Sequence, residues 1–244
     1  MNQADRIELP VRVRFLRHLA WLVLRLLTRL EVYGVEKIPA TGATLMIMNH
    51  LHWLDPIIGV AVIQRPAVMF TAEKWEHRPV IGSVLRWSQR VIFVVRGELD
   101  RRALSQALEV LERGEMLGVA PEGTRSKTGA LLQAHDGAAY LVSRSGATVA
   151  PVVAYGQEQA ESHWKRLRRP RIVVRVGEPF RFEDTPNKVR SRELSPYTEE
   201  MMLRLARLLP PGYRGVYADQ VVDPSPVEHH VPPSAVEASI ASTK

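Results

Sequence analysis

Apolar positions along the chain change period once, near residue 43. Before that point Leu16, Leu19, Leu22, Val23, Leu26, Leu27 and Leu30 recur at three- and four-residue spacing with arginines between them, which predicts one amphipathic helix over 11–31. After it, short apolar runs alternate with helical ones. The runs 43–48, 67–71, 91–95, 116–120, 149–155 and 172–176 read as strands, and 56–63, 79–87, 101–113, 137–145 and 196–209 as helices. Strands separated by helices predict an α/β layered fold with a mainly parallel central sheet behind the N-terminal helix. Such sheets gather their chemistry at the carboxyl ends of the strands. Asn49-His50, Arg96-Gly97 and Pro121 to Arg125 each follow a predicted strand.

This pattern divides the chain into an N-terminal helix (1–35), an α/β domain (36–217) and a tail (218–244). The tail holds Pro224, Pro226, Pro232 and Pro233 among small and polar residues and reads as disordered. The 244 residues, 45% of them hydrophobic, suffice for one sizeable core. Phe15 to Leu30 is the most apolar N-terminal stretch, but Arg17, Arg25 and Arg29 interrupt it, so it does not read as a membrane span. No signal peptide is expected. A helix with leucines on one face, Trp21 among them and arginines on the other suits a membrane interface; the alternative is a helix packed on its own core with solvated arginines.

Charge narrows the partners. The formal net charge is +7, which points to an anionic partner. Lys165, Arg166, Arg168, Arg169, Arg171 and Arg175 form a second basic cluster, open to three readings: a lipid contact, a dock for an acidic carrier protein, or a solvated loop. Aromatic residues do not interleave with the basic clusters as a single-strand nucleic-acid platform requires, so nucleic acid is not expected. The chain has no cysteine, which removes disulfides, thiolate metal sites and cysteine nucleophiles.

The strongest chemical candidate is Asn49-His50-Leu51-His52-Trp53-Leu54-Asp55-Pro56. Histidine removes a proton from a hydroxyl near neutral pH, and an aspartate fixes its tautomer. On a regular helix residues five apart point about 140° away from each other. The pair therefore needs a turn, which Asp55 as N-cap and Pro56 at the first helical position would supply. His52 is an alternative partner for Asp55, and a plain helix cap is the bland reading. With no serine or cysteine nucleophile beside it, a His-Asp pair argues for direct attack by an outside hydroxyl. In the second candidate, Pro121 to Ser126, Arg125 offers a fork for phosphate oxygens, Gly123 lets backbone approach a ligand, and Thr124 adds a hydroxyl. Glu122 either binds a substrate hydroxyl or holds Arg125. No Walker A loop, Gly-x-Gly-x-x-Gly or Gly-x-Ser-x-Gly elbow occurs.

Together these segments resemble the bacterial 1-acyl-sn-glycerol-3-phosphate acyltransferase family. Its Asn-His-x4-Asp block stands as Asn49, His50 and Asp55; its apolar strand ending in arginine is similar to 91–97; its Pro-Glu-Gly-Thr-Arg-Ser block is Pro121 to Ser126; its apolar run with a central proline resembles 149–153. The order and spacing follow the family over roughly residues 30–180. The resemblance implies a glycerolipid-acyltransferase-like α/β fold, with His50 as general base and Asp55 orienting it. Arg96, Gly97, Glu122, Gly123, Thr124 and Arg125 would bind the phosphate and glycerol of 1-acyl-sn-glycerol-3-phosphate. The acyl donor would be acyl-CoA or an acyl carrier protein thioester, and the product phosphatidic acid. No metal or other cofactor is implied, and the place of work would be the cytoplasmic face of the cell membrane. Ala134-His135 stands where the family commonly has Phe-Lys, which keeps another lysophospholipid or a glycolipid open as acceptor. A non-catalytic module for anionic membranes is the rival of a different class.

Overall fold

The structure is a computed structural model that describes residues 11–88, 91–94, 100–182 and 193–222. Among the described residues seven strands form one sheet: β1 (Arg29–Tyr33), β2 (Thr44–Met48), β3 (Ala67–Ala72), β4 (Val91–Val94), β5 (Met116–Val119), β6 (Thr148–Tyr155) and β7 (Arg171–Val176). Their order is β1-β7-β6-β2-β5-β3-β4, and every neighbouring pair is parallel except β6 with β7. The expectation of a mainly parallel α/β sheet holds. The longer helices are α1 (Val11–Leu27), α2 (Asp55–Val62), α3 (Pro79–Ser88), α4 (Arg101–Glu112), α5 (Gly137–Ser145) and α7 (Ser195–Leu208); α6 (Ala160–Trp164) is a short one.

The central strand β2 shows why the fold is layered. All five of its residues are buried, as a parallel strand covered on both faces requires. Alternation then divides them: Leu45 and Ile47 join a core with α4, α5 and α7, while Met46 and Met48 join a second core with α1 and α2 on the opposite face. Arg65 closes the amino-terminal end of the sheet. Its buried guanidinium donates to the carbonyls of Pro39, Gly42 and Gly114 and to Thr44 Oγ1 at 2.7–3.1 Å.

Two sequence expectations are corrected here. The helix read over 11–31 stops at Leu27. The backbone N–H and the hydroxyl of Thr28 both return to the Leu24 carbonyl, and from Arg29 the chain pairs with β7. Residues 29–35, assigned to the N-terminal helix, are therefore part of the α/β body. The start of the tail, expected at 218, is overturned by a 3-10 stretch that runs through Gly215–Gln220 with Tyr217 buried; residues 223–244, where the rest of that expectation falls, lie outside the described residues.

Candidate active site

Strands β6, β2 and β5 are adjacent and parallel, so their carboxyl ends deliver three segments to one place: Gly156-Gln157 after β6, Asn49-His50 after β2, and Ala120 to Arg125 after β5. Asn49 fixes the first turn. Its buried amide donates to the Ala154 carbonyl at 2.8 Å and its oxygen accepts from the Ala154 N–H at 2.9 Å, bridging β2 to β6 in place of a further strand residue.

His50 Nδ1 lies 2.7 Å from Asp55 Oδ2. An ionised carboxylate only accepts, so Nδ1 carries the proton and Nε2 keeps the lone pair. The same Oδ2 accepts the backbone N–H groups of Leu51 and His52, both at 2.8 Å. This corrects the expected N-cap: Asp55 is the first residue of α2, makes no side-chain cap, and turns its carboxylate back into the loop before it. The turn is thus wound around the carboxylate rather than around the helix start. The His52 ring is excluded as the partner of Asp55. Its buried ring points elsewhere, with Nε2 3.7 Å from Glu161, and burial, with a smaller contribution from Arg125, lowers its pKa despite Asp55 and Glu161.

Gln157 is the residue that sequence reasoning missed. It is fully buried, and Nε2 donates to Asp55 Oδ1 at 2.9 Å and to the Ala154 carbonyl at 3.0 Å. Both neighbours are acceptors, so the amide nitrogen must face them, and Oε1 has no partner among the described residues. Between them, His50, Leu51, His52 and Gln157 occupy both oxygens of Asp55. The signal was faint: a glutamine two residues beyond the predicted strand 149–155.

The loop after β5 grips the base. Glu122 Oε1 accepts the His50 N–H at 3.0 Å, and the Ser126 N–H donates to the His50 carbonyl at 2.8 Å. Glu122 Oε2 accepts the Leu132 N–H at 2.9 Å. Burial pushes the Glu122 carboxyl up to about 7, against the opposing pull of the Leu132 and His50 N–H groups. Both oxygens are engaged by backbone and the side chain is buried, so the contacts Glu122 makes here hold the loop and the His50 backbone. Gly123 sits at φ +65°, where a side chain would also press on the His135 ring. Thr124 and Arg125 are exposed beside it. Arg96 and Gly97 lie outside the described residues.

A cavity of about 1020 Å3 opens against this constellation. His50, Asp55, Gly123 and His135 line its polar side, and Met69, Phe70, Val94, Leu104, Leu108 and Tyr140 its apolar remainder. That volume stands at the upper end of the range for small-molecule sites.

Residues 29–155 match the family model described as Acyltransferase. The chain is similar to the 1-acyl-sn-glycerol-3-phosphate acyltransferase of Bacillus subtilis (strain 168), 23% identical over 188 residues that cover 77% of this chain and 92% of that protein. It is also similar to the protein of that name from Borreliella burgdorferi, 28% identical over 129 residues that cover 52% of this chain and 51%, about half, of the relative. Among solved structures it resembles the 1-acyl-sn-glycerophosphate (LPA) acyltransferase PlsC from Thermotoga maritima, with a TM-score of 0.61 and 23% identity over 77% of this chain and 75% of that one. This last likeness concerns the fold.

Proposed function

The chain belongs to the acyltransferase family, and from that premise we propose that it moves a fatty acyl group from acyl-CoA or an acyl carrier protein to the free hydroxyl of 1-acyl-sn-glycerol-3-phosphate, giving phosphatidic acid. The observation that carries the reading is the 2.7 Å contact between His50 Nδ1 and Asp55 Oδ2 at the wall of a large, mostly apolar cavity. His50 Nε2 takes the proton of the acceptor hydroxyl as that oxygen attacks the thioester carbonyl. Asp55 stabilises the imidazolium that forms. The tetrahedral intermediate collapses, the carbon–sulfur bond breaks, and the thiolate leaves with a proton returned from His50. Glu122 and Ser126 hold the His50 backbone from both sides, which keeps Nε2 in line with the hydroxyl.

Arg125, exposed two residues beyond the cavity-lining Gly123, supplies charge for the acceptor's phosphate, and Arg96 is assigned the same task from its place in the sequence. The chemistry calls for no metal or other cofactor beyond the thioester. The cavity's apolar side fits an acyl chain. Helix α1 fits the surface of the cell membrane on its cytoplasmic face: Phe15, Leu19, Leu22 and Leu26 form an exposed stripe on it. No described helix is long and apolar enough to cross a membrane.

A second acceptor is favoured by one observation. His135 lines the same cavity as His50, where the family commonly has lysine, so that a different lysophospholipid or a glycolipid fits the same chemistry. Acceptor profiling separates the readings. Thiol release should be fastest with lysophosphatidate and should drop when the phosphate is replaced by a neutral headgroup. Equal rates on a neutral glycolipid would sink the phosphate assignment.

A further inference from the structure

Helix α6 ends in an unusual way. The Leu167 N–H donates to the Trp164 carbonyl at 2.9 Å and the Arg168 N–H to the His163 carbonyl at 2.9 Å, the double closure of a Schellman cap. The residue that such a cap places in the left-handed region is ordinarily glycine. Here it is Leu167, at φ 53° and 97% exposed. Folding gains nothing from either property: the backbone is strained, and a large apolar side chain is left in water. A strained residue kept in place points to a use outside the folded chain itself.

The surroundings say what kind of use. Residues 164–169 read Trp-Lys-Arg-Leu-Arg-Arg, with four cations and no acid. Lys165, Arg166 and Arg168 are exposed, and among the described residues no carboxylate lies within ion-pair distance of them. Arg169, also exposed, folds back on the chain and donates to the carbonyls of Arg25 and Thr28, while Trp164 Nε1 donates to the Leu27 carbonyl at 2.9 Å. The turn is thereby stitched to the carboxyl end of α1, next to the exposed Leu26 and Leu27. An isolated leucine at the tip of a cationic turn, continuous with an exposed apolar helix, matches an anionic lipid surface on both counts: apolar insertion and phosphate contact.

We infer that the 164–169 turn is a second membrane contact, in which Leu167 enters the headgroup region of an anionic bilayer while Lys165, Arg166 and Arg168 meet lipid phosphates. It rests on the reading of this chain as an enzyme of membrane lipids. It adds to α1 a second point of attachment, on the same side of the molecule as the carboxyl end of that helix.

The test uses the full chain and sedimentation with vesicles of phosphatidylcholine alone or mixed with phosphatidylglycerol. Leu167→Gly should raise Tm, because glycine suits the cap, and yet lower vesicle partition by about tenfold, the loss of one inserted leucine. A structural role would move both in the same direction. Replacing Lys165, Arg166 and Arg168 together by alanine should lower partition on the anionic vesicles by roughly a hundredfold and change little on phosphatidylcholine. Turnover of a water-soluble short-chain acceptor should stay at the wild-type rate in both variants. Unchanged partition in both variants overturns the inference. So does a loss of turnover confined to an acyl carrier protein donor with partition intact, which would assign the turn to an acidic protein. If the wild type turns over no acceptor at all, the transfer reading fails, and the partition measurements still decide the turn.

Discussion

Gln157 offers a sharp test of how the base is held. Its Nε2 is the partner of Asp55 Oδ1, at 2.9 Å, and both residues are buried. A hydrogen bond to a charged group contributes about 1.5–3 kcal/mol. If Gln157→Leu loses that amount wholly in the transition state, where the imidazolium leans on Asp55, kcat falls about 10- to 150-fold. Stability should fall by less, because leucine also removes the unpartnered Oε1. Gln157→Glu separates charge from shape. Two carboxylates in contact at this depth repel by about 4 kcal/mol at an effective dielectric constant near 20, so the pair shares one proton. Protonated, the introduced carboxyl donates to Asp55 as the amide did; as pH rises the donor is lost. The variant's rate should therefore peak at lower pH than the wild type. The assay is thiol release from acyl-CoA followed with a thiol-reactive dye, which the cysteine-free protein does not disturb. A Gln157→Leu enzyme with wild-type kcat across pH would refute the reasoning.

Two further outcomes follow from buried groups elsewhere. Burial raises the Glu122 carboxyl from its ordinary 4.5 to about 7, so between these values the folded chain holds a proton that the unfolded chain has lost. That contribution to stability is complete below pH 4.5 and disappears as pH rises through 7. Glu122→Gln should flatten the slope of urea-denaturation stability across that window by up to about 3 kcal/mol, whatever its fixed cost; an unchanged slope would contradict it. Arg65→Ala removes four hydrogen bonds at the far end of the sheet and should cost roughly 3 kcal/mol in the same measurement while kcat is kept.

What the sequence made legible was local or strongly patterned. The strands and helices expected from residue 43 onward lie within a residue or two of their observed bounds, because β2 and its neighbours are continuous apolar runs between turn residues, and only the short α6 was not expected among the described α-helices. The His50–Asp55 pair was readable because both partners lie in one short loop. Contacts set by strand order were not. Gln157 lies 102 positions from Asp55 and reaches it only because β6 pairs with β2. The contact of Glu122 with the His50 N–H was not foreseen, because nothing in its own segment foretells that β5 lies beside β2. The end of α1 was overrun for the same reason. Leu30 continues the helical spacing, and only pairing with the distant β7 draws Arg29–Tyr33 into the sheet.

The central claim is that His50 deprotonates a lipid hydroxyl that attacks a thioester. It is tested most directly by thiol release from acyl-CoA with and without lysophosphatidate in anionic vesicles, comparing wild type with His50→Ala. The account predicts release that requires lysophosphatidate and falls by about 10²–10⁴-fold in His50→Ala. Release of the same size from His50→Ala, folded by its thermal transition, would contradict it.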